Sequence, residues 1–286
     1  MRLKMILMAA AGGCLAAGAQ ARTLEVCPQA CAYSDIQTAV DAAADGDILH
    51  LGAGVYKPAA YRDITYGKLT IRGFVVLDNR RLTITGEGAV LDDADDGVAT
   101  SAFVIRGGQV TLSGLTIRNF HAVDTKDDIY DGHGIFQIGG RTHLRDLTIE
   151  GVTKMALVVR EDGIADAAGL TIAHNGVGIW TDERARLNLR KSTVDGNTYS
   201  GLAVYAETRT DLSEVAFNNH TDDAIFIDGQ ARVQVMRSTF RGNKPFVFNL
   251  NDRATLSVRR SLFCHNEAVS KTGLNALGGA NKECKE

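Results

Sequence analysis

The sequence predicts a single-domain, all-β fold: a right-handed, single-stranded parallel β-helix with one short N-terminal capping helix. Three observations carry this. Apolar residues recur as Ile149, Ile172, Val194, Phe217, Phe240 and Phe263, at steps of 22 or 23 residues. Three residues after most of them stands an asparagine (Asn175, Asn197, Asn243, Asn266), with His220 in the one slot that breaks the run. The chain also holds 30 glycines against three prolines, a composition suited to short strands joined by tight turns. A fixed period of this length with one short strand per repeat marks a solenoid. Asparagine tolerates a left-handed turn, and its amide can bond to the Asn one coil away, which narrows the solenoid to a parallel β-helix. The right hand follows the bias of parallel crossovers.

Residues 1–21 read as a secretory signal: Arg2 and Lys4, an apolar stretch from Met5 to Ala17, then Ala19-Gln20-Ala21 as a small-x-small cleavage site. The competing reading is a lipoprotein signal ending at Cys14. The β-helix domain then covers 22–286, and the protein is expected in the periplasm or outside the cell. No other run approaches the ~18 apolar residues of a membrane helix. Loss of Arg2 and Lys4 takes the net charge from −3 to −5, with no basic excess to suggest nucleic acid. Ser34-Asp-Ile-Gln37 is a capping box, and Ile36, Ala39, Val40 and Ala43 follow at helical spacing, so a short helix ending at Gly46 is expected to plug the barrel's N-terminal mouth. Strand-like runs follow at 48–51, 69–71, 75–77, 82–84, 103–105 and 110–117. The four cysteines beyond the signal, Cys27, Cys31, Cys264 and Cys284, lie in two pairs at opposite ends. The ends of a solenoid are far apart, so Cys27–Cys31 and Cys264–Cys284 is the pairing that reaches, and the exported context favours disulfides over a metal.

Two coils carry inserts, near 92–101 and 121–131, and solenoid inserts map to loops on one face. The second is dense in ionisable groups (His121, Asp124, Lys126, Asp127, Asp128, Tyr130, Asp131) and runs into His133. After each turn comes a further strand, at 156–160, 178–182, 202–205 and 224–228. Alternation points Leu157, Ile179, Leu202 and Ile225 inward and sets two outward columns: Val158, Trp180, Ala203, Phe226, and Arg160, Asp182, Tyr205, Asp228. Such a stripe of aromatics and charged hydrogen-bonding groups suits a sugar chain. The competing reading is a solvated face whose Arg160–Asp182 contact is a surface ion pair worth about 0–1 kcal/mol.

Asp131-Gly-His133, then Lys154, then Leu157-Val-Val-Arg160-Glu161 resembles the β-helix mannuronan epimerases of alginate-making bacteria, which carry an Asp-Pro-His-Asp motif and, about a coil later, an aliphatic strand ending in Ser-Arg-Glu. Gly178-Ile-Trp-Thr-Asp182 and Asn219-His220-Thr221-Asp222 extend the resemblance, which spans about residues 115–230 of a pectate-lyase-like β-helix. Gly132 and Gly134 depart from the motif, and Gly134 removes an acid beside the histidine. The resemblance implies His133 as the base that takes the carbon 5 proton of a uronate and Arg160 as the neutraliser of its carboxylate. Asp131, two residues before His133, is placed to orient the ring, and a histidine's unperturbed pKa near ~6.5 makes a neutral base available. Lys154 is either an assistant or the ion-pair partner of Asp131, and Tyr205 is a candidate proton donor. Trp180, Asp182, Phe226, Asp228 and Tyr130 are candidate substrate contacts.

The function expected is an exported enzyme, epimerase or lyase, acting as a monomer on an acidic polysaccharide or oligosaccharide. The alternative is a non-catalytic carbohydrate-binding or scaffold β-helix. No cofactor is expected, with calcium at the cluster Asp92, Asp93, Asp95 and Asp96 as the exception considered. His121, His143, His174 and His265 show no ligand spacing and read as surface or turn residues.

Overall fold

The computed structural model describes residues 20–94, 99–122, 129–271, 273, 277 and 279–284. It is a right-handed parallel β-solenoid of about 11 turns. Its strands fall into a wide sheet and a narrow sheet of 16 and ten strands among the described residues. The wide sheet starts at Thr23–Val26 and takes two strands from each regular coil, such as Ile164–Ala168 and Thr171–Ala173. The narrow sheet takes the third, such as Met155–Arg160 and Val177–Thr181.

Each regular coil turns three corners, and each corner uses one residue of positive φ; the earlier third corners use two glycines, Gly107-Gly108 and Gly139-Gly140. Asp146, Gly169, Lys191, Glu214 and Arg237 make the first, Gly151, His174, Gly196, Asn219 and Gly242 the second, and Glu161, Glu183, Ala206, Gly229 and Asp252 the third. A non-glycine residue in this region is strained by its Cβ. The coil tolerates it because backbone hydrogen bonds to the coils on either side hold each corner, as Asp146 N–H to Ala168 O and Gly169 N–H to Arg190 O do.

Ile149, Ile172, Val194, Phe217, Phe240 and Phe263 stack in direct register and are buried. The last three form a column of parallel rings, with centroids 5.5 and 5.2 Å apart. The asparagine ladder forms, but the left-handed residue is the one before each Asn. Asn175, Asn197 and Asn243 are buried, and the ladder amides serve the neighbouring coil: Asn175 donates to Asn197 Oδ1 at 3.1 Å, and Asn243 to Asn266 Oδ1 at 2.9 Å. His220 occupies the ladder slot between Asn197 and Asn243.

The helix is α1, Ile36–Ala42, capped by Asp35 rather than Ser34, whose carboxylate accepts from Thr38 N at 2.7 Å. It stops at Ala42, short of Gly46. Ile36, Ala39 and Val40 enter the core, and the Gln37 amide bonds to both backbone groups of Val76, serving that stretch of Leu69–Asp78 as a missing strand would. Both cysteine pairs are bonded as expected, Cys27–Cys31 and Cys264–Cys284.

The periodicity does not show a hairpin in the early coils. Arg62–Tyr66 runs antiparallel to Leu69–Gly73, and Ile129–Tyr130, the end of the second insert, pairs with Thr70 and Ile71. Together they lie on the outside of the narrow sheet and bury a second apolar cluster: Ile64, Ile71, Val104, Phe136, Ile138 and Val158.

Candidate functional site

The narrow sheet aligns the two outward columns as the repeat implies: Val158, Trp180, Ala203 and Phe226 are register partners, and Leu157, Ile179, Leu202 and Ile225 point inward. Their exposure differs from expectation. Val158 is buried beneath the hairpin rather than facing solvent, because the outer faces of the earlier coils are apolar there and are covered.

His133 lies in this covered half and is fully buried, which corrects its expected place at a substrate surface. Its Nδ1 sits 3.2 Å from Ser101 Oγ, Phe136 packs edge-on at 5.0 Å, and Nε2 has no partner. Burial, with the Lys154 ammonium nearby, pushes its pKa down to about 3, so the ring is neutral but a feeble base. Asp131 does not orient it. That carboxylate is nearly buried and pairs with Lys154 at 3.3 Å, while the Lys154 ammonium lies 5.5 Å from the Tyr130 ring centre.

Nor do His133 and Arg160 converge. Ile135 is register partner to Leu157, so Arg160 lies one coil over and five positions further along the strand, about 16 Å away and beyond the span of one sugar ring. Residues 123–128, in the insert expected to overhang this position, lie outside the described residues, as does any contact between them and Arg160. Tyr66 of the hairpin covers it, with the guanidinium carbon 5.3 Å from the ring centre. Arg160 Nη2 donates to Asp182 Oδ2 and Glu183 Oε1, both at 3.2 Å. The Tyr66 hydroxyl donates to the same Glu183 oxygen at 2.9 Å, and burial followed by that bond raises its pKa to about 12.

Beyond the hairpin the narrow sheet opens. Trp180 and Tyr205 stack with centroids 4.3 Å apart, and Tyr205 meets Phe226 at 5.5 Å, forming a half-exposed aromatic shelf over three coils. Ala203, between Trp180 and Phe226, leaves the space into which Tyr205 leans. Acids surround the shelf. Burial, then Asp228, Asp182 and Asp222, raise the Tyr205 phenol.

The wide sheet holds a site that the reading by outward columns missed. Its first strand per coil presents His143, Asp166, Asn188, Asp211, Gln234 and Ser257 in one register column, and Arg145, Ala168, Arg190, Ser213, Met236 and Arg259 in the next. From Asp166 to Arg259 these residues line a groove of about 510 Å³. A third column, Arg186, Arg209 and Arg232, runs alongside with like charges in direct register and no carboxylate paired to them among the described residues. At one end the groove meets a hollow of about 250 Å³ rimmed by His143, Arg145, Asp166, Asn188 and Arg190. Asp166 anchors that end: it accepts from Arg141 and from Asn188, each at 2.7 Å, and lies 3.8 Å from His143 Nδ1. Ala168 stands between Arg145 and Arg190 in register, and Arg145 Nη1 donates to the carbonyls of Leu144 and Asp166 at 2.8 and 2.6 Å, which holds its guanidinium at the hollow's rim. Aligning the first strand of each coil, as was done for the later ones, is the signal that would have taken His143 out of the surface histidines.

Of the acidic cluster, Asp92 accepts from Arg118 and Asn119, Asp93 pairs with His121 at 3.1 Å, and Asp95 and Asp96 lie outside the described residues. Among the described residues no group of three or more His, Cys, Asp or Glu is arranged to hold a metal ion. No described helix is long and apolar enough to cross a membrane.

The family model for the right handed beta helix region matches residues 101–284, most of the chain, and the protein belongs to that family. No curated protein matches the sequence. Among solved structures it is similar to the pectate lyase Pel9A, at 12% identity over 94% of this chain and 80% of that one, with a TM-score of 0.53. It is also similar to a mutant of the PL6 family alginate lyase AlyGC, at 15% identity over 92% of this chain and 40% of that one, with a TM-score of 0.50. The A-module of the Azotobacter vinelandii mannuronan C-5 epimerase AlgE6 aligns at 14% identity over 87% of this chain and 92% of that one, with a TM-score of 0.33, too low to carry an argument. At these identities the likeness is one of fold.

Proposed function

We propose that the protein is exported and acts on an acidic polysaccharide laid along the outer groove of the wide sheet, abstracting the carbon 5 proton of a uronate residue. The observation that carries the reading is the hollow that gathers His143, Asp166, Arg145 and Arg190 at one end of an arginine-flanked groove. The chemistry needs a base, a group that orients it, and a neutraliser for the charge that grows on the substrate carboxylate. His143 Nε2 takes the proton, and Asp166, on the Nδ1 side, holds the ring. The 3.8 Å separation is longer than a hydrogen bond, as such contacts commonly are before substrate binds.

The electron pair of the broken C–H bond passes into the uronate carboxylate, which Arg145 and Arg190 meet from either side of Ala168. Return of a proton from solvent to the opposite face inverts the sugar. Expulsion of the bridging oxygen at carbon 4, which takes up the proton held by His143 or one from solvent, cleaves the chain and leaves a double bond between carbons 4 and 5. The fold relatives supply a precedent: a pectate lyase and an alginate lyase are among the solved structures that share this fold.

The test is incubation of the mature chain with uronate polymers in deuterium oxide. Ultraviolet absorbance from an unsaturated product identifies a lyase, and deuterium at carbon 5 without it identifies an epimerase. His143→Gln is expected to lower turnover by at least about 10²-fold, the usual contribution of a general base, while leaving the fold intact. Retention of turnover by His143→Gln, or neither product from any uronate polymer, overturns the reading.

A further inference from the structure

We propose that the aromatic shelf of the narrow sheet is a second carbohydrate site, separate from the groove, and that it takes a sugar bearing a free amine. The shelf is Trp180, Tyr205 and Phe226, one ring from each of three successive coils, stacked and half-exposed. Aromatic faces of this kind take the C–H surface of a pyranose, and their quadrupoles attract a cation set over them.

The charges around the shelf choose the sugar. Asp182 and Asp228 stand on either side of Tyr205 in its own column, and Asp222 lies close by; burial first, then these three carboxylates, raise the Tyr205 phenol. Arg160 offsets Asp182 and Glu183 but not Asp228. A uronate would meet repulsion here, whereas an ammonium group would meet carboxylates. The far end of the shelf supplies an independent observation. Asn249 follows Phe226 in the aromatic column and donates to Asp223 Oδ2 at 2.6 Å, which draws that buried carboxyl to the shelf's end. Asp223 Oδ1 and Asn249 Oδ1 are both buried and make no hydrogen bond of good geometry, the Phe246 N–H and the Lys271 ammonium being further donors near Asp223. Two acceptors short of a good hydrogen bond at one place call for a ligand rich in N–H groups.

A basic peptide fits less well. The strands beneath the shelf are paired on both sides, so no open edge offers backbone hydrogen bonds to an extended chain. A sugar ring needs only the faces and the carboxylates.

Trp180 is the single tryptophan of the chain, so its emission reports the shelf directly. The probes are a glucosamine oligomer with free amines, its fully N-acetylated counterpart, an oligouronate, and a lysine-rich peptide of equal charge. The free-amine oligomer is expected to change Trp180 emission saturably. N-acetylation, or Asp228→Asn in a protein of unchanged circular dichroism, is expected to weaken binding by about tenfold, the scale of one cation–aromatic or charge contact. The oligouronate should leave the emission unchanged. Equal affinity for the acetylated oligomer, tighter binding of the peptide, a response to the uronate, or no response to the amine overturns the proposal. Turnover at His143 is measured separately, so failure of either site is distinguishable from failure of the other.

Discussion

Arg160 and His143 exchange the roles their surroundings suggest. A single guanidinium nitrogen of Arg160 holds two carboxylates beneath Tyr66, and its Nε is buried without a partner, so the side chain is committed to structure. Arg160→Lys should therefore cost about 1–2 kcal/mol in urea denaturation, since an ammonium at the end of a flexible stem does not reproduce the planar group packed under Tyr66 between the two carboxylates in this partly buried place. Turnover on uronates should stay within about twofold of the parent. A large loss of turnover at unchanged stability would return Arg160 to the chemistry and weaken the assignment to the wide sheet. His133 is likewise structural: the Ser101 hydroxyl holds it under Tyr130, and no face of it meets solvent.

At the scale of elements, the ladder and the outer hairpin each hold a testable weak point. In the ladder, His220 leaves Asn197 Nδ2 without an acceptor, and its own ring nitrogens approach the carbonyls of Val194 and Asn197 without a hydrogen bond of good geometry. His220→Asn restores the repeat, because the new amide can accept from Asn197 and donate onward to Asn243. The expected gain is about 1 kcal/mol, the usual worth of a buried hydrogen bond made where a group was unsatisfied, read as a shift in the urea midpoint at unchanged slope. A loss of stability would mean that the smaller amide leaves a cavity which outweighs the bond. Beneath the hairpin, on the strand Ile135–Ile138, Phe136 is the largest of the outer cluster's buried side chains. Phe136→Ala should cost about 3–5 kcal/mol. If the hairpin is held by this cluster, amide exchange should rise first in residues 62–73, ahead of the asparagine ladder.

At the scale of the whole molecule, the two buried histidines make stability depend on pH. Burial holds the His133 pKa at about 3 and the His220 pKa at about 4, whereas both protonate near ~6.5 in the unfolded chain. The unfolded state thus binds more protons across that window. Stability is fullest above ~6.5 and falls as the pH drops toward about 4, by on the order of several kcal/mol for the pair. Asp223, whose carboxyl burial raises, works in the opposite sense and offsets part of the fall. Urea midpoints between pH 7 and 4 check this, and His220→Asn should flatten the slope. A flat profile in the parent protein would show that both rings are protonated in place.

The period of 22 or 23 residues determined the solenoid, its interior columns and its ladder, because every coil must present the same inward positions to the one before it. The paired cysteines at each end were equally legible, since a staple within an end asks nothing of the coils between. Asp131, Lys154 and Tyr130 were legible as neighbours, being one insert and one coil apart. What the sequence could not decide was which outward face is open. Arg62–Tyr66 turns back across the narrow sheet and buries Val104, Phe136 and Val158, and no periodicity in those residues announces a partner from a coil so far upstream. That long-range contact sets Tyr66 over Arg160, Tyr130 stacks on His133, and Trp180, Tyr205 and Phe226 stay open on this side. The groove of His143, Asp166 and the arginine columns depends in turn on the register of whole coils. Its residues stand 22 or 23 apart in sequence, and only the stacked coils bring their side chains about 4.8 Å from one another.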